Sequence, residues 1–275
     1  MKTIAEKVMA GQPLDNILVI DAHCHIGHSS RIYMPKMTPE YALSYMDRFG
    51  IDKMCVSSIE GIYNDCIRAN EEAATFVSAC PERLMAYCIV NGNYPEEGLA
   101  LLDEYLDKPG FIGAKLYPGE GYGWSHHDIA LDDPRFDAIY DKVAEAGKCV
   151  LAHTWECGGY KAAPGKMRRA LERHPEMTVI VGHSGGTYDG HFETMAMMRD
   201  FPNVYFDLTG TEFGEIWLRD LVEMVDNDRI LYGSDAGFLD AGFYIGKIGL
   251  AEITEEQKRK IFGGNMQRLL KGLNL

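Results

Sequence analysis

Apolar positions along the chain fall into two periods. Short, nearly continuous apolar runs occur at 16–23 (NILVIDAH), 53–59 (KMCVSSI), 84–90 (LMAYCIV), 111–117 (FIGAKLY), 149–153 (CVLAH), 177–183 (MTVIVGH), 203–209 (NVYFDLT) and 229–235 (RILYGSD). Runs of this kind suit strands of a parallel sheet, which are buried on both faces. Between them, apolar residues recur at helical spacing. In TPEYALSYMDRFG, Thr38 is a candidate N-cap, Pro39 takes the first helical position, Leu43, Met46 and Phe49 form a stripe, and Gly50 ends it. DPRFDAIYDKVAEAG repeats the design, from the Asp133 cap and Pro134 to the stop at Gly147. A last helix opens on a Thr254/Gln257 capping box, breaks at GGN (263–265) and resumes as MQRLL.

Eight strand–helix units in succession, with no linker or low-complexity segment, predict an α/β fold: a (β/α)8 TIM barrel, a single domain over residues 1–275 with extended loops at its C-terminal face. A doubly wound open sheet is the competing architecture. It usually carries fewer strands and a nucleotide loop, and neither GxGxxG nor GxxxxGK[ST] occurs here.

Composition narrows the partners. The chain has 275 residues, 46% hydrophobic and 25% charged, with a net charge of −14. That charge disfavours nucleic acid, because phosphate binding needs a basic surface. No apolar run approaches the roughly 20 residues that cross a bilayer, and the first 16 residues lack a signal-peptide pattern. The expectation is a cytoplasmic protein acting on a small molecule, with no membrane or nucleic-acid partner. The seven cysteines are odd in number and form no CxxC pair, so buried free thiols are expected.

The chemistry sits at the strand ends, where barrel active sites gather. The first strand ends in His23 and His25, the fourth carries Lys115, the fifth ends in His153, the sixth in His183 and the eighth in Asp235. Residues two apart on a strand share a face, so His23 and His25 can both point inward, with Asp21 below them and Cys24 turned out. A lone histidine at a strand end is usually an ordinary polar residue. Four histidines and an aspartate ending four of eight strands form a donor set for zinc, iron, manganese or nickel. Lys115 has three readings: binding a substrate carboxylate, bridging two metals as a carbamate, or pairing with a neighbouring acid.

The ordered set HxH, Lys, His, His, Asp resembles the amidohydrolase superfamily. The text around it (DAHCHIG, GAKLYPG, LAHTWE, VIVGHSGG, ILYGSDAGF, GGNMQRLL) is similar to the amidohydrolase-2 branch over roughly 21–270. The resemblance implies a divalent ion, zinc in first place, held by His23, His25, His153 and Asp235. It implies one ion, or two if Lys115 and His183 also serve as ligands, and His183 acting on the substrate. Metal-activated water would then cleave a C–N or C–O bond of an amide, ester or lactone, with Asp235 and His183 as the catalytic pair. Arg31, Trp124, His126, His127 and Glu156, on loops after the first, fourth and fifth strands, are the candidates for substrate binding. Barrels of this type often pair as homodimers through loops or outer helices.

The main alternative is non-oxidative decarboxylation of an aromatic or unsaturated acid, which other members of the branch perform at the same metal site. They often use an arginine after an early strand, whereas here only Arg31 and Arg68 are near. A TatD-type deoxyribonuclease shares the HxH start but carries a middle-strand GEIGLDY-like motif where this chain reads GAKLYPG. A non-catalytic barrel would show an eroded site, and none of the expected ligands is missing.

Overall fold

The fold is described from a computed structural model over residues 2–29, 33–34, 37–119, 126–211 and 214–275. Eight parallel strands follow one another around a single sheet: β1 (Ile20–Ile26), β2 (Lys53–Ser58), β3 (Leu84–Val90), β4 (Phe111–Leu116), β5 (Cys149–His153), β6 (Thr178–Gly182), β7 (Val204–Asp207) and β8 (Ile230–Leu231). Helices return the chain between them, among them Pro39–Phe49, Cys66–Ser78, Pro95–Tyr105, Asp137–Glu145, Pro164–Arg173, Tyr188–Asp200 and Glu215–Met224. This is the TIM barrel expected from the eight apolar runs.

The local signals explain most boundaries. Thr38 Oγ1 accepts from the Tyr41 N–H, and Gly50 ends that helix in the left-handed conformation. Asp133 caps a short 3-10 turn, Pro134–Phe136, before the α-helix begins at Asp137. The Thr254/Gln257 capping box is present. The expected break at GGN does not occur. One π-helical turn over Lys260–Gly264 carries the helix through to Asn265–Gly272. Glycine is needed there because a Cβ on Gly263 would stand 2.4 Å from the Leu18 carbonyl oxygen.

Most apolar side chains of the strands fall into two layers. Outward residues such as Cys24, Ile26, Val56, Cys88, Val150, Val181 and Phe206 pack against the helices. Inward residues Ile20, Ala22, Cys55, Tyr87, Ile112, Cys149, Leu151, Ile180 and Leu231 fill the barrel. Met266, Leu269 and Leu270 of the last helix join this inner layer beside Leu18 and Ile20, closing the end where the strands begin. The seven cysteines are free.

Two strands break simple alternation. The pairing of β1 with β2 shifts between Asp21 and Cys24, which face Met54 and Val56: one extra residue is inserted in β1. Ala22 therefore faces inward with Ile20, His23 follows it, and Asp21 falls outside. Asp21 is thus not below His23 on the inner face, as plain alternation predicts. A second shift separates β3 from β4 at Ala86/Tyr87. Beyond it Ala114 points out, beside the helices, and Gly113 lies so close to β5 that a Cβ would stand 1.9 Å from the Cys149 carbonyl oxygen.

The last gap in the barrel closes without a regular ladder. Ala22 N–H donates to the Tyr232 carbonyl at 3.0 Å, Asp235 N–H to the His23 carbonyl at 2.8 Å, and His25 N–H to the Ala236 carbonyl at 2.8 Å. The Asp21 carboxylate reinforces this seam. It accepts from Ser234 N–H at 3.0 Å and from Ser234 Oγ at 2.5 Å, and Ser234 Oγ accepts from Ala236 N–H at 3.0 Å.

A Cβ at Gly113 must displace the backbone of β5. Gly113→Ala is expected to cost about 1–3 kcal/mol or more by overpacking, read as a lower urea midpoint at unchanged m-value. Gly246→Ala, where a Cβ meets nothing within 4 Å in a helix, is expected to be neutral or stabilising by up to about 1 kcal/mol. Equal effects at the two sites would contradict this account of the β4 shift.

Candidate active site

Above the inner apolar layer, at the C-terminal ends of the strands, lies a polar layer. His23 and His25 of β1, Lys115 of β4, His153 of β5, His183 after β6, Asp207 of β7 and Asp235 after β8 are all buried. Among the described residues, His23, His25 and Asp235 form a group able to hold a metal ion, with their ligand atoms all within 4.8 Å of one another. Asp235 Oδ1 lies 3.1 Å from His25 Nε2 and 4.0 Å from His23 Nε2.

The other face of each imidazole is tied to the scaffold. His23 Nδ1 is 2.9 Å from Asp207 Oδ2, and His25 Nδ1 is 3.2 Å from Ser57 Oγ. His183 Nδ1 is 3.0 Å from the Thr209 carbonyl oxygen. His153 stands beside His183, ring centroids 4.5 Å apart, and stacks on Tyr117 at 4.4 Å. It adjoins the group of three without joining it at that spacing. Lys115 Nζ lies 2.7 Å from His23 Nε2. The partner of Lys115 at that distance is thus an imidazole, not an acid.

The layer sits in a low-dielectric setting, and its ionisation follows. Burial holds His23 and His183 well below the usual histidine range and lowers His25, so the three rings are neutral at neutral pH. Burial pulls Lys115 down to about 8, against the opposing pull of Asp235 and Asp207. It pushes Asp21 up to about 7 despite the bonds from Ser234. Burial acts against the charge on Asp235 too, but the short contact with His25 and the nearby His25, His183 and His23 rings outweigh it, and its carboxyl lies below the usual range.

The backbone is strained at the same place. His183, Ser184 and Asp235 adopt positive φ of 62°, 46° and 58°, and Glu156, just past β5, one of 64°. Such conformations cost about 1–3 kcal/mol each in non-glycine residues. At Asp235 the turn is what brings a residue after β8 back over β1, where its N–H meets the His23 carbonyl.

These residues fit a divalent cation. Asp235 Oδ1 is buried with no hydrogen-bond partner, although two imidazole nitrogens stand within 4.0 Å of it. A carboxylate oxygen converging with neutral imidazoles is a metal donor set, and buried polar atoms otherwise need a partner.

The loop candidates separate. Arg31 and Trp124 lie outside the described residues. His126 is exposed. His127 is buried, with Nε2 2.7 Å from the Gly61 carbonyl oxygen, fastening the loop after β4 to the segment after β2. Burial lowers it to about 4. Glu156 is half-buried. Arg68 lies on the Cys66–Ser78 helix, exposed, beside Glu60.

Residues 20–272 match the amidohydrolase family model, Amidohydro_2. The chain belongs to the amidohydrolase family. No curated protein sequence matches it. Among solved structures, this chain resembles 2,6-dihydroxybenzoate decarboxylase from Rhizobium (TM-score 0.70, 18% identity, covering 93% of this chain and 98% of that one). It also resembles a dihydroxybenzoic acid decarboxylase from Polaromonas with bound manganese and the inhibitor 2-nitroresorcinol (0.70, 16%, 93% and 96%). A third neighbour is a protein described as amidohydrolase II (0.70, 20%, 92% and 99%). At these identities the likeness establishes the fold.

Asp207 and Ser57 are not among the residues that the sequence points to. Asp207 carries the same signal as Asp235, a carboxylate ending an apolar run, but lies outside the family motifs, and Ser57 carries no signal.

If the cluster is a metal centre, Asp235→Asn and His25→Ala each remove a donor. Elemental analysis after purification in excess manganese or zinc is expected to show about one ion per chain in the parent and at least a tenfold loss in either variant. Full occupancy in both would exclude the assignment.

Proposed function

We propose that this protein is a metal-dependent, non-oxidative decarboxylase of a hydroxylated aromatic acid. The observation that carries the reading is the setting of the His23, His25 and Asp235 cluster: buried imidazoles with aromatic rings packed against them. Phe238 stands edge-on to His25 at 5.1 Å, Trp155 edge-on to His183 at 5.7 Å, and Tyr117 covers His153. A flat aromatic acid suits such rings. A carboxylate stripped of water there is destabilised relative to the charge-dispersed state in which the C–C bond breaks. The decarboxylases among the structural neighbours support the same reading, whereas amide, ester or lactone cleavage is supported only at the level of the superfamily.

His23, His25 and Asp235 would hold the ion, with His153 beside them. A bound divalent ion would supply positive charge that draws the acid to the cluster and stabilises the negative charge growing on the ring. Lys115, a buried cation in the same layer, adds to that field. Asp235, held below the usual carboxylate range, stays ionised and is suited to hold the ion. His183 is suited to move a proton, because its Nδ1 faces the Thr209 carbonyl and its Nε2 remains to accept and return it. In balance, the ring–carboxylate bond breaks, carbon dioxide leaves, and a proton replaces it on the ring carbon. Zinc and manganese both match the donors.

The test is carbon dioxide release from a panel of mono- and dihydroxybenzoates by the manganese- or zinc-loaded protein, with lactones and amides alongside. Decarboxylation is expected, and His183→Asn is expected to lower kcat by about 10²–10⁴-fold. Turnover of a lactone or amide, with none of the acids consumed, would replace this reading by hydrolysis.

A further inference from the structure

We propose that Asp207 is a positioning residue that sets the tautomer of His23, keeping the ring proton on Nδ1 and the lone pair on Nε2, the nitrogen on the side of Lys115 and Asp235. The observation is a ring held between two partners of opposite kind. Asp207 Oδ2 stands 2.9 Å from Nδ1, and Lys115 Nζ stands 2.7 Å from Nε2. A carboxylate oxygen accepts a hydrogen bond and an ammonium donates one. Only the Nδ1–H tautomer satisfies both ends, and both residues and the ring are fully buried.

Asp207 is itself immobilised. Its other oxygen, Oδ1, accepts from His183 N–H at 2.9 Å and from Thr209 N–H at 3.0 Å. The space beside it is full: a Cβ on Gly233 would stand 3.3 Å from Asp207 Cβ and 3.1 Å from His23 Cβ. One carboxylate therefore fixes a ring of the candidate metal cluster and the strained backbone of His183 together. The consequence for metal binding rests on reading that cluster as a metal centre, whereas the tautomer does not.

Asp207→Asn separates the two roles. The amide oxygen can keep both backbone N–H donors, which turns the amide NH2 toward His23 Nδ1. That nitrogen must then accept, and the proton moves to Nε2, where it occupies the lone pair and Lys115, already lowered to about 8 by burial, gives up a proton to accept from it. The experiment is long-range 1H–15N correlation on histidine-labelled, metal-free protein, with His23 assigned from the His23→Asn variant. Manganese or zinc is then titrated into parent and Asp207→Asn protein by calorimetry. The parent is expected to show Nδ1–H at His23. Asp207→Asn is expected to show Nε2–H and a Kd weakened about 10–100-fold. A parent ring protonated on Nε2 would overturn the proposal. So would an Asp207→Asn protein that is less stable yet keeps the parent tautomer and affinity, which is what a purely structural role gives. If that variant does not fold, the parent spectrum alone decides. Neither readout uses turnover, so failure to decarboxylate any acid leaves this result standing.

Discussion

The seam between β1 and the chain after β8 is the constraint on which the site depends. The regular ladder stops at Leu231, and closure passes to backbone bonds between Ala22, His23 and His25 on one side and Tyr232, Asp235 and Ala236 on the other. These bonds alternate across the gap, so each histidine is placed next to the residue that faces it. Asp21 spans the same gap from the outer side through Ser234. The barrel and the His23, His25 and Asp235 cluster are closed by the same contacts. Weakening the seam would loosen the fold and the cluster together.

This explains where strain is tolerated. The positive φ of Asp235 and of His183 would cost stability anywhere, and both occur where neighbouring bonds over-determine the backbone. His183 N–H is held by Asp207, and Asp235 N–H by the His23 carbonyl. Below them, Ile20, Leu151, Ile180 and Leu231 give a rigid apolar base, each worth about 1.5–3 kcal/mol in burial. The same base keeps the imidazoles neutral. Neutrality leaves lone pairs on the rings, and ionised Asp235 supplies the negative charge that a cation needs nearby.

Much of this was legible in the sequence, for identifiable reasons. Eight apolar runs separated by capped helical segments fix a barrel, because a parallel strand buried on both faces leaves little polar alternation. Strand-end placement of His23, His25, Lys115, His153, His183 and Asp235 follows from the same runs. What the sequence hid were features set by pairing across distance. The extra residue in β1 reverses the side of Asp21, and strand register is not written in any local pattern. The π turn at Lys260–Gly264 continues a helix that two glycines suggest should stop. His127 reads as a loop residue until the Gly61 carbonyl is seen against it. Asp207 and Ser57 have roles only through the rings they face.

The central proposal is that the seam assembles one cation site from the first and last strands of the barrel. Crystals soaked in manganese and measured near the manganese absorption edge test it most directly. The account predicts one strong anomalous peak bonded to Nε2 of His23, Nε2 of His25 and a carboxylate oxygen of Asp235. A strong peak elsewhere, with none at the seam under saturating manganese, would contradict it.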